Sequence, residues 1–206
     1  MFENSKKTHS KWIQSLCILT LALSLILSTT TLSFARDTDL LYQELISTHE
    51  NFEPVGSICE QAAKIKLRDL YPSTLYTIET GVTYGTPKHS IGELDVVIFD
   101  NVNQQAVLIA EVKCWQKPLK ALRKAIRQRA RFLHTLATFP KLTFHLNRNN
   151  KLTYRKDQFS TGIPFLFISQ MDPLASGFDI ILDYTLEELM SVRDQLLSNK
   201  KSEARH

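Results

Sequence analysis

The chain has 206 residues, of which 43% are hydrophobic, 22% charged and 9% aromatic. That is the profile of a folded globular chain, and with six Gly and seven Pro it excludes disordered, collagen-like and low-complexity proteins. The formal charge of +4 is mildly basic, and where the charges sit is more informative than their sum.

Residues 1–35 read as a secretory signal peptide: Lys6, Lys7 and Lys11 open it, Leu16 to Leu27 is an apolar run, and Ser33 and Ala35 stand at −3 and −1 of a cleavage site. At about a dozen residues the run is short for a bilayer span; an uncleaved anchor is the alternative reading. Removing the segment leaves 22 positive against 20 negative side chains, a net charge of +2. The expected product is exported, periplasmic or secreted, with no stable membrane insertion. It keeps Cys59 and Cys114, which can pair in an oxidising compartment; one sequence leaves the pairing open.

The rest predicts a single domain over residues 36–206, with a core at about 56–185. Residues 37–50 carry leucines at helical spacing. A second helix spans residues 57–70, with Ser57 and Glu60 placed as a capping box, and stops at Tyr71-Pro72-Ser73. Strands follow at 75–84, 94–99 and 106–112, the last two joined by a hairpin connection at 100–105. Strands this continuously apolar belong at the centre of a sheet covered by helices on both faces. After Pro118 a helix runs to about Thr138, with Leu119, Leu122, Ile126, Ala130, Leu133 and Ala137 as its apolar stripe. A small hairpin at 142–155, strands at 164–169 and 178–182, and a helix from the Thr185–Glu188 capping box to about Leu197 complete the α/β pattern. Residues 198–206 read as a frayed tail.

Polar residues interrupt the apolar strands at three places. Asp95 sits inside Glu93-Leu94-Asp95-Val96-Val97, and Glu111 and Lys113 flank Val112. A carboxylate in such a strand is costly unless it is paired or binds a cation. Alternation points Glu111 and Lys113 the same way, and hairpin pairing brings Asp95 beside them. Two hard oxygen ligands suit Mg²⁺ or Mn²⁺, which can neutralise phosphate charge and activate water, with a lysine supporting the developing charge. The competing reading is a buried lysine–carboxylate group that only satisfies itself.

Asp95 followed by Glu111-Val112-Lys113 resembles the D…(D/E)-x-K signature of the PD-(D/E)xK nuclease superfamily, in its Holliday-junction-resolvase-like branch. Gly56, Glu60, Ala63 and Leu67 match the G-x-x-x-E-x-x-A-x-x-x-L of the preceding helix in such proteins. Gly92-Glu93-Leu94-Asp95 is similar to their G-E-(hydrophobic)-D, and Gln128 matches a polar Gln on the following helix. The proline of the family name is replaced by Leu94. The resemblance covers about Gly56 to Phe132. It implies a restriction-endonuclease-like α-β-β-β-α-β core, a mixed central sheet flanked by helices, and Mg²⁺-dependent phosphodiester hydrolysis. By position, Asp95 and Glu111 hold the metal with Glu60 as a further ligand, the Val112 carbonyl beside them, Lys113 and Gln128 as catalytic groups, and Glu93 in a secondary place. Many such nucleases act as homodimers.

From Lys113 to Arg131 the chain carries eight positive residues and no acid. Lys120, Lys124, Arg127, Gln128 and Arg131 are expected on the helix side away from the apolar stripe. With Lys117 they form a candidate nucleic-acid surface, DNA most of all, whose affinity would depend on salt. Trp115 either stacks on a base or packs against the sheet. His49, His89, His134 and His145 lack metal-ligand spacing, and no P-loop, G-x-G-x-x-G or G-x-S-x-G is present. The expected function is an exported metal-dependent nuclease. The rival is a catalytically silent nucleic-acid-binding or interaction module on the same fold.

Overall fold

The computed structural model describes residues 38–203, apart from 49 and 148. The expected signal segment lies outside them. In chain order the elements are α1 (Thr38–Ile46), α2 (Ser57–Arg68), β1 (Tyr76–Thr86), β2 (His89–Asp100), β3 (Ala106–Val112), α3 (Pro118–Thr138), β4 (Thr143–Leu146), β5 (Asn149–Arg155), a 3-10 turn at Lys156–Gln158, β6 (Phe165–Ser169), β7 (Ile180–Ile181) and α4 (Leu186–Glu203). The strands form one mixed sheet in the order β5-β4-β1-β2-β3-β6-β7. From β5 to β3 every neighbouring pair is antiparallel, whereas β3–β6 and β6–β7 are parallel. The antiparallel strands β1, β2 and β3 follow one another through tight turns. The parallel step from β3 to β6 needs a crossover, which α3 and the β4–β5 hairpin supply.

Two apolar clusters cover the sheet, as its continuously apolar central strands require. One gathers Leu41 and Leu45 of α1, Ile58, Ala62 and Leu67 of α2, Val96 and Ile98 of β2, and Leu189 and Val192 of α4. The other gathers Ala125, Phe132 and Leu136 of α3 with Val82, Tyr84, Val97, Ile109 and Phe144. Phe132 meets Tyr84 edge to face, with ring centroids 5.1 Å apart, and a further ring stack joins Phe144 to Phe159 at 4.1 Å. Each such fully buried aromatic contributes about 3 kcal/mol by burial alone.

In β1 and β2 the buried side chains change cluster partway along. Ile78 of β1 and Val96 of β2 belong to the α2 side, while Val82 and Leu94 belong to the α3 side. The register steps from Thr80–Val96 to Val82–Leu94, which sets Gly81 opposite Asp95. Gly81 has φ +69°, open to glycine and strained for most other residues, and this lets β1 turn its faces over. Asp95 therefore sits where both strands exchange faces.

Three expectations need correction. The core-facing line of α3 is Pro118, Ala121, Ala125, Phe132, Thr135 and Leu136. The proposed stripe is a flank: Leu119 is 56% and Ile126 49% exposed, and Leu122 and Leu133 are half-buried. Alanines let the helix lie close on the sheet, so the buried line is the less hydrophobic one. Second, no capping box opens α2: Gly56 is its N-cap with no side-chain cap bond, and the Ser57 hydroxyl donates to Pro54 O. Third, residues 198–203 continue α4 rather than fray. The second capping box forms as expected, with Thr185 N–H donating to Glu188 Oε2 at 2.7 Å and Glu188 N–H to Thr185 Oγ1 at 3.2 Å.

Candidate active site

Asp95, Glu111 and Lys113 converge at the end of β3. Lys113 Nζ lies 2.6 Å from Asp95 Oδ2, 2.9 Å from Glu111 Oε2 and 3.0 Å from the Val112 carbonyl. Its three donors are thereby all used. Asp95 Oδ2 also accepts the Val112 N–H at 2.8 Å. The group is almost closed to solvent: Asp95 and Lys113 are each 7% exposed and Glu111 is 1%. The Val112 carbonyl, expected as a metal neighbour, accepts from the lysine here.

Glu60 and Glu93 are two further carboxyl groups that this centre influences. Burial first, then the charge of Asp95, pushes Glu60 up to about 8. Burial and Asp95 likewise push Glu111 up to about 8 and raise Glu93. Burial alone would lower the Lys113 ammonium, but Asp95 and Glu111 outweigh it and hold the group above the usual lysine range. Asp95 and Glu111 thus contact the ammonium directly, while Glu60 and Glu93 feel it and Asp95 through their charges. Gly56 makes room for Glu60, since a Cβ on it would come within 3.2 Å of Glu60 Oε1.

A disulfide joins Cys59 to Cys114 across a Cα–Cα distance of 6.3 Å. It closes the pairing that the sequence left open. Each cysteine is next to a site residue, Glu60 on α2 and Lys113 after β3, so the bond fixes one element against the other. The chain after β3 is held again by Ser169, whose hydroxyl donates to the Lys113 carbonyl at 3.0 Å, and by Gln170, whose Nε2 donates to the Trp115 carbonyl at 2.9 Å.

The remaining predicted residues divide. Gln128 does not sit on the solvent side of α3 as expected. It is half-buried, between Ala125 and Phe132 on the line that packs on the sheet, and its buried Oε1 has no partner among the described residues. A buried acceptor left unpaired costs about 1–3 kcal/mol, so this atom marks a place for a water or a ligand group. Lys117, Lys120, Lys124, Arg127 and Arg131 are exposed along one row of α3 and its N-cap. Lys124 Nζ stands 4.8 Å from the Trp115 ring centroid, and the positive Arg131 guanidinium opposes the upward shift that burial gives the Tyr84 hydroxyl.

Asn147 escaped the sequence reading. Its Nδ2 donates to Glu93 Oε1 at 2.9 Å, its backbone N–H donates to Gly81 O at 2.9 Å, and it accepts the Thr83 hydroxyl. It ties β4 to the turnover at Gly81 and orients Glu93. Gln61 was missed too; its Nε2 reaches Thr80 Oγ1 at 2.9 Å from α2. An Asn in a polar turn and a Gln on a helix carry no distinguishing pattern.

Among the described residues no group of three or more His, Cys, Asp or Glu side chains gathers closely enough to hold a metal ion. Lys113 fills the space between Asp95 and Glu111 instead. The chemistry of the donor set nevertheless fits a hard divalent cation, because the donors are carboxyl oxygens and a cation bound among them would favour ionisation of the Glu60 and Glu111 carboxyls that burial now raises to about 8. Comparison with known protein families, characterised proteins and solved structures finds no match to the chain.

Proposed function

We propose that the chain is an exported, metal-dependent nuclease that hydrolyses phosphodiester bonds of nucleic acid, DNA foremost, on a restriction-endonuclease-like core. The observation that carries this reading is the buried Lys113 ammonium held between Asp95 and Glu111 at the end of β3, with the Glu60 carboxyl raised by burial and by the charge of Asp95. The order α2-β1-β2-β3-α3-β6, with β6 parallel to β3, supports the proposed core. Asp95 and Glu111 would hold Mg²⁺ or Mn²⁺, with Glu60 next to them. When bound, the cation supplies Lewis-acid polarisation of the phosphate. Lys113 remains the cationic group that can hold a phosphate oxygen and offset charge developing there. The basic row of α3 attracts and aligns the polyanion. The disulfide supports export, because such bonds persist outside the reducing cytosol.

The closed lysine–carboxylate group also favours a second reading, a nucleic-acid-binding module without chemistry, in which Lys113 only neutralises its neighbours. Incubation of the purified chain with plasmid, linear DNA and RNA separates the two. Cleavage with Mg²⁺ or Mn²⁺ that stops in EDTA supports the nuclease. Binding in EDTA with no cleavage under either metal supports the silent module.

A further inference from the structure

The nuclease reading does not use the groove beside the site. It has a volume of about 490 Å³, within the range of small-ligand clefts, and its lining includes Val55, Trp115, Lys117, Lys120, Leu186 and Met190. Its floor is apolar and its edge is cationic. Trp115 is 40% exposed, unusual for the largest apolar side chain, and follows Lys113 by two residues. Its backbone is fixed on both sides, by the Cys59–Cys114 disulfide before it and by the Gln170 hydrogen bond to its carbonyl. The ring is therefore an aromatic surface on a rigid mount. Lys124 lies over it at 4.8 Å, and Lys117 and Lys120 line the same groove.

We propose that this groove is a nucleobase subsite, in which an unpaired base of the bound strand stacks in the Trp115 groove while Lys117, Lys120 and Lys124 hold the flanking phosphates. The inference rests on the nuclease reading and adds the class of substrate. A flat aromatic ring in a groove edged by cations complements a flat base carrying phosphates, and base–aromatic stacking is tolerant of base identity. A base inside a duplex already stacks on its neighbours, so the subsite selects single-stranded segments, flaps or frayed ends.

Trp12 and Trp115 are the only tryptophans in the sequence, so the full chain carrying Trp12→Phe reports on Trp115 alone by fluorescence. The probes are a ten-nucleotide oligothymidine and an abasic strand of the same length, both in EDTA. The expected result is quenching by oligothymidine and none by the abasic strand when both are bound. Trp115→Ala should weaken oligothymidine binding about five-fold or more, the low end for losing one stacked base, and leave abasic binding unchanged. Trp115→Phe, which keeps a ring, should restore most of the difference. Equal quenching by both strands, or equal loss of both affinities in Trp115→Ala, overturns the subsite. Cleavage of these strands on adding Mg²⁺ is read separately. Selective quenching without cleavage sustains the subsite and removes the nuclease; cleavage without selective quenching does the reverse.

Discussion

Lys113 Nζ lies 2.6 Å from Asp95 Oδ2, although the two residues stand 18 apart in the sequence, Asp95 within β2 and Lys113 just after β3. The pair is buried, and Glu111 shares the same ammonium. Removing one partner of a buried ion pair leaves uncompensated charge and costs about 3–5 kcal/mol. Lys113→Ala should therefore lower the melting temperature in EDTA, and Mg²⁺ or Mn²⁺ should restore part of the loss by taking the place of the missing positive charge. Thermal unfolding with and without metal checks this. An unchanged melting temperature in EDTA would show that the pair is not holding this end of the sheet.

The acidity of the site sets a pH dependence. Glu60 and Glu111 ionise near 4.5 when free in solution and near 8 in the folded chain. Between those values the folded state holds protons that the unfolded state has released, so stability falls as pH rises across the window. The melting temperature in EDTA should be lower at pH 8.5 than at pH 5.5. Glu111→Gln should flatten the slope, and Mg²⁺ should stabilise more at the higher pH, where protons compete less. A melting temperature that rises over this range contradicts the assignment of either carboxyl as buried and protonated.

The disulfide closes a loop whose ends are 55 residues apart. In the chain-entropy account such a bond stabilises by about 4 kcal/mol. Cys59→Ala/Cys114→Ala should unfold at clearly lower temperature. Labelling of the unfolded full chain should find a single free thiol, Cys17. Three free thiols would show that the bond does not form.

Much of the site was legible because chemistry stood out against its background. Asp95, Glu111 and Lys113 are polar residues in strands otherwise apolar on both faces, and only a special environment accounts for them. The orientation of α3 was not legible. Its buried line runs through Ala121 and Ala125, which score low in hydrophobicity yet permit the closest approach to the sheet. Larger residues such as Leu119 and Ile126 point the expected stripe to the wrong flank, which puts Gln128 on the solvent side. The turnover of faces at Gly81 was also hidden, since a lone glycine in a strand announces an irregularity but not its direction.

The cationic row of α3 predicts a salt-dependent affinity. Replacing Lys117, Lys120 and Arg127 together by Ala should lower the slope of log K against log salt by about 3, roughly one per lost phosphate contact. Binding titrations in EDTA between about 50 and 200 mM salt provide the reading. A slope equal to that of the parent chain would remove the row from the interface.

Metal-dependent cleavage by this site is tested by comparing the parent chain with Asp95→Asn. This near-isosteric change removes the charge that Lys113 faces and keeps the side-chain volume. Circular dichroism first establishes that the variant is folded. Cleavage of plasmid and oligonucleotide substrates is then followed over a Mg²⁺ and Mn²⁺ titration. Metal-dependent cleavage by the parent is expected, with a loss of about a hundred-fold or more in the folded variant, on the scale of deleting one group that stabilises transition-state charge. Equal cleavage by both proteins, or none by the parent under either metal, would contradict that expectation.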